Sequence, residues 1–165
     1  MLPSSSKIEE LFILNKMPES TFICNQETLE SLAPITSAPI RHHVFVCRGK
    51  SCSAAGSAEV FAAFEAELLA RGIIFGKEKK GKNPKGSVIL TECSSVGFCA
   101  IGAAVMVYPD GVWYAQVRAA DVAEIVQEHL VEGRVVERLA LLRVPSAGKE
   151  PRTPPGTNEP ASWEA

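Results

Sequence analysis

Four cysteines of this chain form two close pairs, and each pair lies at or just after a short run of apolar residues. Cys47 ends the first run and Cys52 follows it, while Cys93 and Cys99 come just after the second run. Both runs have the length and the β-branched content of strands. If the two strands are parallel neighbours, both turns emerge at one end of a sheet and bring four thiols together. Closely spaced cysteines in a reducing compartment indicate metal or redox chemistry rather than structural disulfides.

The central part of the chain alternates between strand and helix patterns. Strand patterns cover residues 41–47, 87–91, 104–108 and 112–117. One helix pattern begins at Ser53 or Ser57 and runs to residue 71, and a second covers residues 121–132. A strand–helix–strand unit requires a right-handed crossover and a parallel pair, and the turn at 109–111 joins the last two strands as a hairpin. The sequence therefore predicts an α/β fold in which a mixed four-stranded sheet carries flanking helices, an order that resembles the thioredoxin-like arrangement.

Prolines separate the chain into three parts. Residues 1–39 are expected to form a partly helical arm, residues 40–144 form the domain, and residues 145–165 form a Pro-rich tail. The tail has too few apolar residues to offset its ordering entropy, so it is predicted to be disordered.

The composition also limits where the protein works and what it binds. The sequence has no run of about 20 apolar residues for a membrane helix, and its first residues do not resemble a secretory signal. A net charge of −2 argues against nucleic-acid binding through overall charge. We therefore expect a cytoplasmic protein with no membrane or nucleic-acid partner.

The spacing of the four thiols narrows the kind of site they can form. Soft thiolates suit zinc or an iron–sulfur cluster, but structural zinc sites more often use C-x2-C pairs. The plant-type ferredoxin pattern needs a cysteine at position 55, which is Ala55, and a thioredoxin C-x-x-C is absent. Wider spacings favour a bound inorganic group with two metal ions, one for each pair of thiols. No acid, base or nucleophile set and no nucleotide motif is visible, so we expect no enzyme activity.

Three segments of the chain resemble the thioredoxin-like 2Fe–2S ferredoxins. This family includes stand-alone ferredoxins and the small cluster-bearing subunit of respiratory NADH dehydrogenases and of bidirectional hydrogenases. The segments are residues 44–56, 105–114 and 132–139. The resemblance implies a carrier of single electrons that binds one 2Fe–2S cluster and serves redox proteins, as a homodimer or docked to a larger oxidoreductase. The ligands that it implies are Cys47 and Cys52 on one iron, and Cys93 and Cys99 on the other.

The second pair departs from the family at one position. The family spaces its last two ligands C-x3-C, which puts one ligand at position 95, where this chain has Ser95. Three alternatives follow: Cys93 is the ligand through a longer loop, Ser95 ligates through oxygen, or the cluster is lost. Without a cluster, the domain would be a cluster-free or zinc-bound module for protein interactions. We favour Cys93, because a thiolate is a better soft ligand than a hydroxyl.

The remaining candidate residues have simpler explanations. Cys24 lies outside the resemblance and is expected to be a thiol rather than a ligand. His42 and His43 alternate across a strand, so only one of them faces the core, and His129 falls on the apolar face of the second helix, where we expect it to be packed and hydrogen-bonded. The five lysines of residues 77–85 predict a solvated loop, and they are also a candidate surface for steering an acidic redox partner.

Overall fold

The computed structural model describes residues 26–144, and its contacts divide the chain into two units. The first unit ends at Ser37 and contributes the helix α1 (Gln26–Leu32) and a 3-10 turn (Pro34–Ser37). The second unit begins at Ala38 and contains the sheet. The tail predicted over residues 145–165, and residues 1–25 of the predicted arm, lie outside the described residues.

The second unit alternates strands and helices in the order that the sequence predicts. Its strands are β1 (His42–Cys47), β2 (Val88–Cys93), β3 (Val105–Tyr108), β4 (Val112–Tyr114) and β5 (Ala140–Arg143). Its helices are α2 (Lys50–Ala54), α3 (Ser57–Ala70) and α4 (Val122–Glu124), and α4 continues as a π-helix over Ile125–Val131. Within residues 26–144, no helix has the length and apolar composition that a bilayer crossing requires.

The first predicted helix begins at the later of its two expected starts. The sequence allows a start at Ser53 or at Ser57, and α3 begins at Ser57, directly after Gly56, which has a φ of 85° and separates α3 from the short helix α2. Glycine adopts this left-handed conformation without the steric cost that a Cβ imposes. The short helix α2, with Cys52, is therefore separate from the core helix α3, and it packs against the 3-10 turn Cys99–Ile101.

The strands form one mixed sheet in the order β2-β1-β3-β4-β5. β1 and β2 are parallel, as the strand–helix–strand rule predicts, and the other neighbours are antiparallel. The α/β thioredoxin-like class is confirmed, but the sheet has five strands and not four. β5 is a largely exposed edge strand, so its residues lack the alternation of apolar and polar positions that marks a half-buried strand.

The core lies between one face of the sheet and the helices α3 and α4. Alternation along β1 and β4 points Val44, Val46 and Tyr114 into this core, while Trp113 faces the opposite side and stays half-buried. The helices contribute Val60, Phe64 and Leu68 from α3, and Val122, Ile125, Val126 and Leu130 from α4 and its continuation. This packing fixes β1 beside β2, and therefore fixes the positions of the turns that follow both strands.

A hydrogen-bonded group of polar side chains ties the hairpin to the core. Nε2 of His129 lies 3.3 Å from the carboxylate of Asp110, which only accepts, so Nε2 carries the ring hydrogen. In the neutral ring Nδ1 then accepts from the Tyr114 hydroxyl at 2.9 Å, and the Tyr114 oxygen accepts the Val136 amide hydrogen. Nε2 of His42 lies 3.2 Å from the same carboxylate oxygen. His129 is thus packed and hydrogen-bonded, as the sequence predicts.

This group makes stability depend on pH. Burial lowers the pKa of His129 and of His42, and the negative charge of Asp110 only partly opposes that effect. Because the pKa values of both histidines are lower in the folded chain than in the unfolded one, the unfolded chain binds more protons as the pH falls below about 6.5. We predict that the free energy of unfolding in urea decreases between about pH 7.5 and about pH 5.5. The His129→Gln variant should flatten this slope relative to the unsubstituted chain, and an unchanged slope in His129→Gln would contradict the prediction.

Candidate metal centre

Two of the predicted site cysteines end neighbouring strands. In the parallel register of β1 and β2, Cys47 lies directly opposite Cys93. The ladder continues to the strand ends, because the Arg48 amide donates to the Cys93 carbonyl at 2.7 Å and the Cys47 amide donates to that of Ala104 at 3.0 Å. β2 therefore runs two residues beyond the predicted strand, so Cys93 belongs to the strand and not to the loop after it.

The thiols of these two cysteines reach across to the neighbouring strand. The Cys47 thiol points to the Ser94 carbonyl at 3.8 Å, and the Cys93 thiol points to the Val46 carbonyl at 3.7 Å. Cys47 is fully buried, whereas Cys93 is half-buried. The Cys47 thiol is thus shielded from solvent, whereas the Cys93 thiol lies closer to the surface.

Cys52 reaches the same end of the sheet on the helix α2. The Ser53 hydroxyl donates to the Arg48 carbonyl at 3.0 Å and closes the turn between β1 and this helix. Cys52 is fully buried and packs with Cys47 beside Ala104. These contacts make the first cysteine turn a compact piece of structure, with both of its thiols turned inward.

The second cysteine turn passes directly beside Cys52. α2 packs against the 3-10 turn Cys99–Ile101, and Gly102 follows it so closely that a Cβ there would lie 2.8 Å from both Cα and Sγ of Cys52. Any larger residue at position 102 would have to displace the Cys52 side chain. The absence of a side chain at Gly102 is therefore what lets the two turns meet.

All four predicted positions lie at one end of the sheet. Cys47 pairs with Cys93, and the helix of Cys52 packs on the turn that begins at Cys99. The side chain of Cys99 lies outside the described part of the structure, as does the whole of Cys24. Among the side chains that are described, no three histidine, cysteine or acidic groups are placed to hold a metal ion.

The loop that joins Cys93 to Cys99 is held at two points. The Ser95 hydroxyl accepts a hydrogen bond from the Gly97 amide at 3.1 Å, and Gly97 has a φ of 91° that closes this tight turn. From the neighbouring strand β4, the Trp113 indole donates to the Val96 carbonyl at 2.9 Å. The Phe98 ring meets the Trp113 ring edge-on, with centroids 6.3 Å apart. Ser95 therefore shapes the turn, and Trp113 anchors it to the sheet.

Sequence reasoning missed the role of Trp113. Alternation along β4 puts Trp113 and Tyr114 on opposite faces of the sheet, and only Tyr114 is fully buried. Nothing in the sequence links position 113 to the cysteine loop, because the contact depends on how β4 lies beside that loop. The apolar residues Val96 and Phe98 within the loop are the one local signal that it packs against something.

Opposite charges bridge the two strand ends beside Cys93. Arg48 forms a salt bridge with Glu92, so the guanidinium beside the cysteine turns is partly neutralised. A shallow cavity of about 290 Å³ opens here, lined by Arg48, Gly49, Glu92, Cys93 and Ser94. This cavity brings solvent, or a partner molecule, closest to Cys93 rather than to Cys47 or Cys52.

Comparison with known proteins gives one consistent family. The model of the thioredoxin-like [2Fe-2S] ferredoxin family matches residues 35–130. A 2Fe-2S ferredoxin of Aquifex aeolicus (strain VF5) is 39% identical over 118 residues, which are 66% of this chain and 93% of the relative. One from Clostridium pasteurianum is 36% identical over 109 residues, which are 61% of this chain and 96% of the relative.

A solved structure agrees with the sequence comparisons. The structure of a thioredoxin-like [2Fe-2S] ferredoxin from Aquifex aeolicus superposes with a TM-score of 0.52 at 34% identity. The superposed region covers 66% of this chain and 97% of the Aquifex aeolicus chain. The match therefore takes in nearly the whole of that ferredoxin.

The Trp113 anchor is testable without any cofactor. In the Trp113→Phe variant the ring remains, but the Val96 carbonyl loses its donor, so we predict that the free energy of unfolding falls by about 1 to 2 kcal/mol. Amide hydrogen exchange in residues 94–98 should accelerate more than in β1. The control is Trp163→Phe, which lies outside the described residues, and equal losses in both variants would contradict the anchor.

Proposed function

Because the chain belongs to the thioredoxin-like [2Fe-2S] ferredoxin family, we propose that it carries single electrons on one 2Fe–2S cluster held by its own cysteine turns. The ligands that we propose are Cys47 and Cys52 on one iron, and Cys93 and Cys99 on the other. The observation that carries this proposal is the parallel register that sets Cys47 opposite Cys93. Two cysteine turns that leave the same end of a sheet can together bind one inorganic cluster.

The chemistry of this end of the sheet fits such a cluster. Thiolates are the donors that iron–sulfur clusters use in proteins. The backbone at Gly102 approaches the Cys52 side chain so closely that a Cβ would lie 2.8 Å from its sulfur, so the second cysteine turn lies in contact with a thiol of the first. When bound, the cluster supplies a site that accepts and releases one electron.

The protein residues control access to that site. Cys47 and Cys52 are fully buried, and Val96 and Phe98 pack against them, which keeps water away from their sulfur atoms. Lower solvent access and hydrogen bonds to the sulfurs tune the potential of a cluster. The half-buried Cys93 lines the shallow cavity. A redox partner would therefore approach the cluster most closely from the side of Cys93.

Cys93 is a better candidate for the third ligand than Ser95. Cys93 is fixed in the strand ladder opposite Cys47, and its side chain reaches back toward β1. The Ser95 hydroxyl accepts the Gly97 amide hydrogen and serves to close the loop. A thiolate is also the softer ligand, which suits iron in a cluster. These observations favour four cysteine ligands over three cysteines and a serine.

We propose redox proteins as partners, including a larger oxidoreductase to which the chain docks as a carrier or subunit. The cytoplasm is the proposed compartment, because thiol ligands persist as thiols in a reducing environment. We also propose a homodimer, which sedimentation velocity of the purified chain would measure.

The cofactor is tested by anaerobic purification of the full chain. We predict a coloured protein with visible absorption and with iron and acid-labile sulfide both at two per chain, which is the content of one 2Fe–2S cluster. The oxidised protein should accept one electron per chain in a reductive titration. A colourless protein that binds zinc, or a folded protein with no metal, would support the interaction module and contradict the electron carrier.

The third ligand is tested by three matched substitutions. We predict that Cys93→Ala loses most of the visible absorption, because one iron then lacks a thiolate. Ser95→Ala should keep the absorption, and so should Cys24→Ala, which removes a cysteine outside the matched residues 35–130. The measurement is iron content per folded chain, with folding checked by circular dichroism. Loss of iron in Ser95→Ala, but not in Cys93→Ala, would mean that the serine is the ligand.

A further inference from the structure

The segment 77–85, here called the lysine loop, carries the strongest concentration of charge in the sequence. It contains five lysines and one glutamate, which gives a net charge of +4 in a chain whose total is −2. The lysines are Lys77, Lys79, Lys80, Lys82 and Lys85. The rest of the chain therefore carries a net charge of −6, and the loop is a basic site on an acidic protein.

The backbone of the lysine loop is firmly held. Asn83 is its main support: its side-chain amide donates to the Gly72 carbonyl at 2.7 Å, and its side-chain oxygen accepts the Lys85 amide at 2.8 Å. The Asn83 amide donates to the Ile74 carbonyl at 3.0 Å, and the Gly76 amide donates to Asn83 at 3.1 Å. A fixed loop presents its charges without the ordering cost that a flexible one would incur on binding.

Most of these charges are available to a partner. Lys82 is the exception, because it forms a salt bridge with Glu65 at 3.1 Å. The other four lysines are exposed, and within residues 26–144 no carboxylate forms a salt bridge with any of them. Like charges kept this close together repel each other, and a partner with negative charge relieves that repulsion.

The lysine loop lies at the opposite end of the sheet from the cysteine turns. The loop leads into Val88, the first residue of β2, and Cys93 is the last residue of the same strand. At about 3.3 Å per residue, the strand separates the two by about 16 Å. A partner that covers the lysines therefore need not cover the cavity beside Cys93.

We propose that the lysine loop is a docking site for a carboxylate-rich protein surface, separate from the end of the molecule that exchanges electrons. That the end with the cysteine turns exchanges electrons rests on the proposed function. Binding of a partner at the lysine loop does not. A compact acidic patch fits better than a nucleic acid. A long polyanion would extend past one loop of nine residues and meet a chain whose remaining net charge is −6.

A labelled peptide of ten glutamates is the probe for this site, and the full-length protein is the binder. We expect binding at low salt that weakens as salt is added, since the contacts are exposed ion pairs. Backbone NMR shifts on titration should be largest in residues 77–85 and small around residues 47–52. Lys79→Gln/Lys80→Gln should weaken binding by about fivefold.

The matched control compares one lysine at each end of the sheet. Lys80→Gln and Lys50→Gln remove the same charge from exposed positions, so only the first should weaken binding of the glutamate peptide. Equal effects, shifts centred on residues 47–52, or tighter binding of a short DNA duplex than of the peptide would each overturn the proposal. The experiment reads out binding whether or not the chain holds a cluster, so its failure and the failure of the electron-carrier proposal are distinguishable.

Discussion

The parallel pairing of β1 with β2 is the constraint on which the rest of the structure depends. It sets Cys47 opposite Cys93, and the turns that follow both strands must then share one end of the sheet. The pairing is held by the helix α3, whose buried side chains pack on both strands. An antiparallel pairing of the same two segments would send the cysteine turns to opposite ends, and no common site would exist.

Much of this arrangement could be predicted from the sequence, for definite physical reasons. The strand–helix–strand order favours a parallel pair joined by a right-handed crossover, and once the two strands are parallel neighbours their turns must meet at one end of the sheet. Alternation along a strand separated His42 from His43 and Trp113 from Tyr114. The edge strand β5 escaped prediction because most of its side chains are exposed, and a strand without a buried face has no periodic signal.

The details of the site were beyond the sequence because they depend on contacts between distant segments. The Trp113 indole holds the Val96 carbonyl from a different strand, and Gly102 gives space to the side chain of Cys52 from another turn. The shared carboxylate of Asp110 between His42 and His129 has the same origin. Each contact exists only once the sheet has formed, so composition and spacing carry no trace of it.

The two ends of the sheet carry different groups, with thiols at one end and a basic loop at the other. We propose that the thiol end surrounds iron with sulfur alone. X-ray absorption at the iron edge of the oxidised, full-length protein measures this most directly. We predict a first shell of sulfur atoms only, with a second iron as the next neighbour. Oxygen or nitrogen in the first shell, or iron without an iron neighbour, would contradict the account.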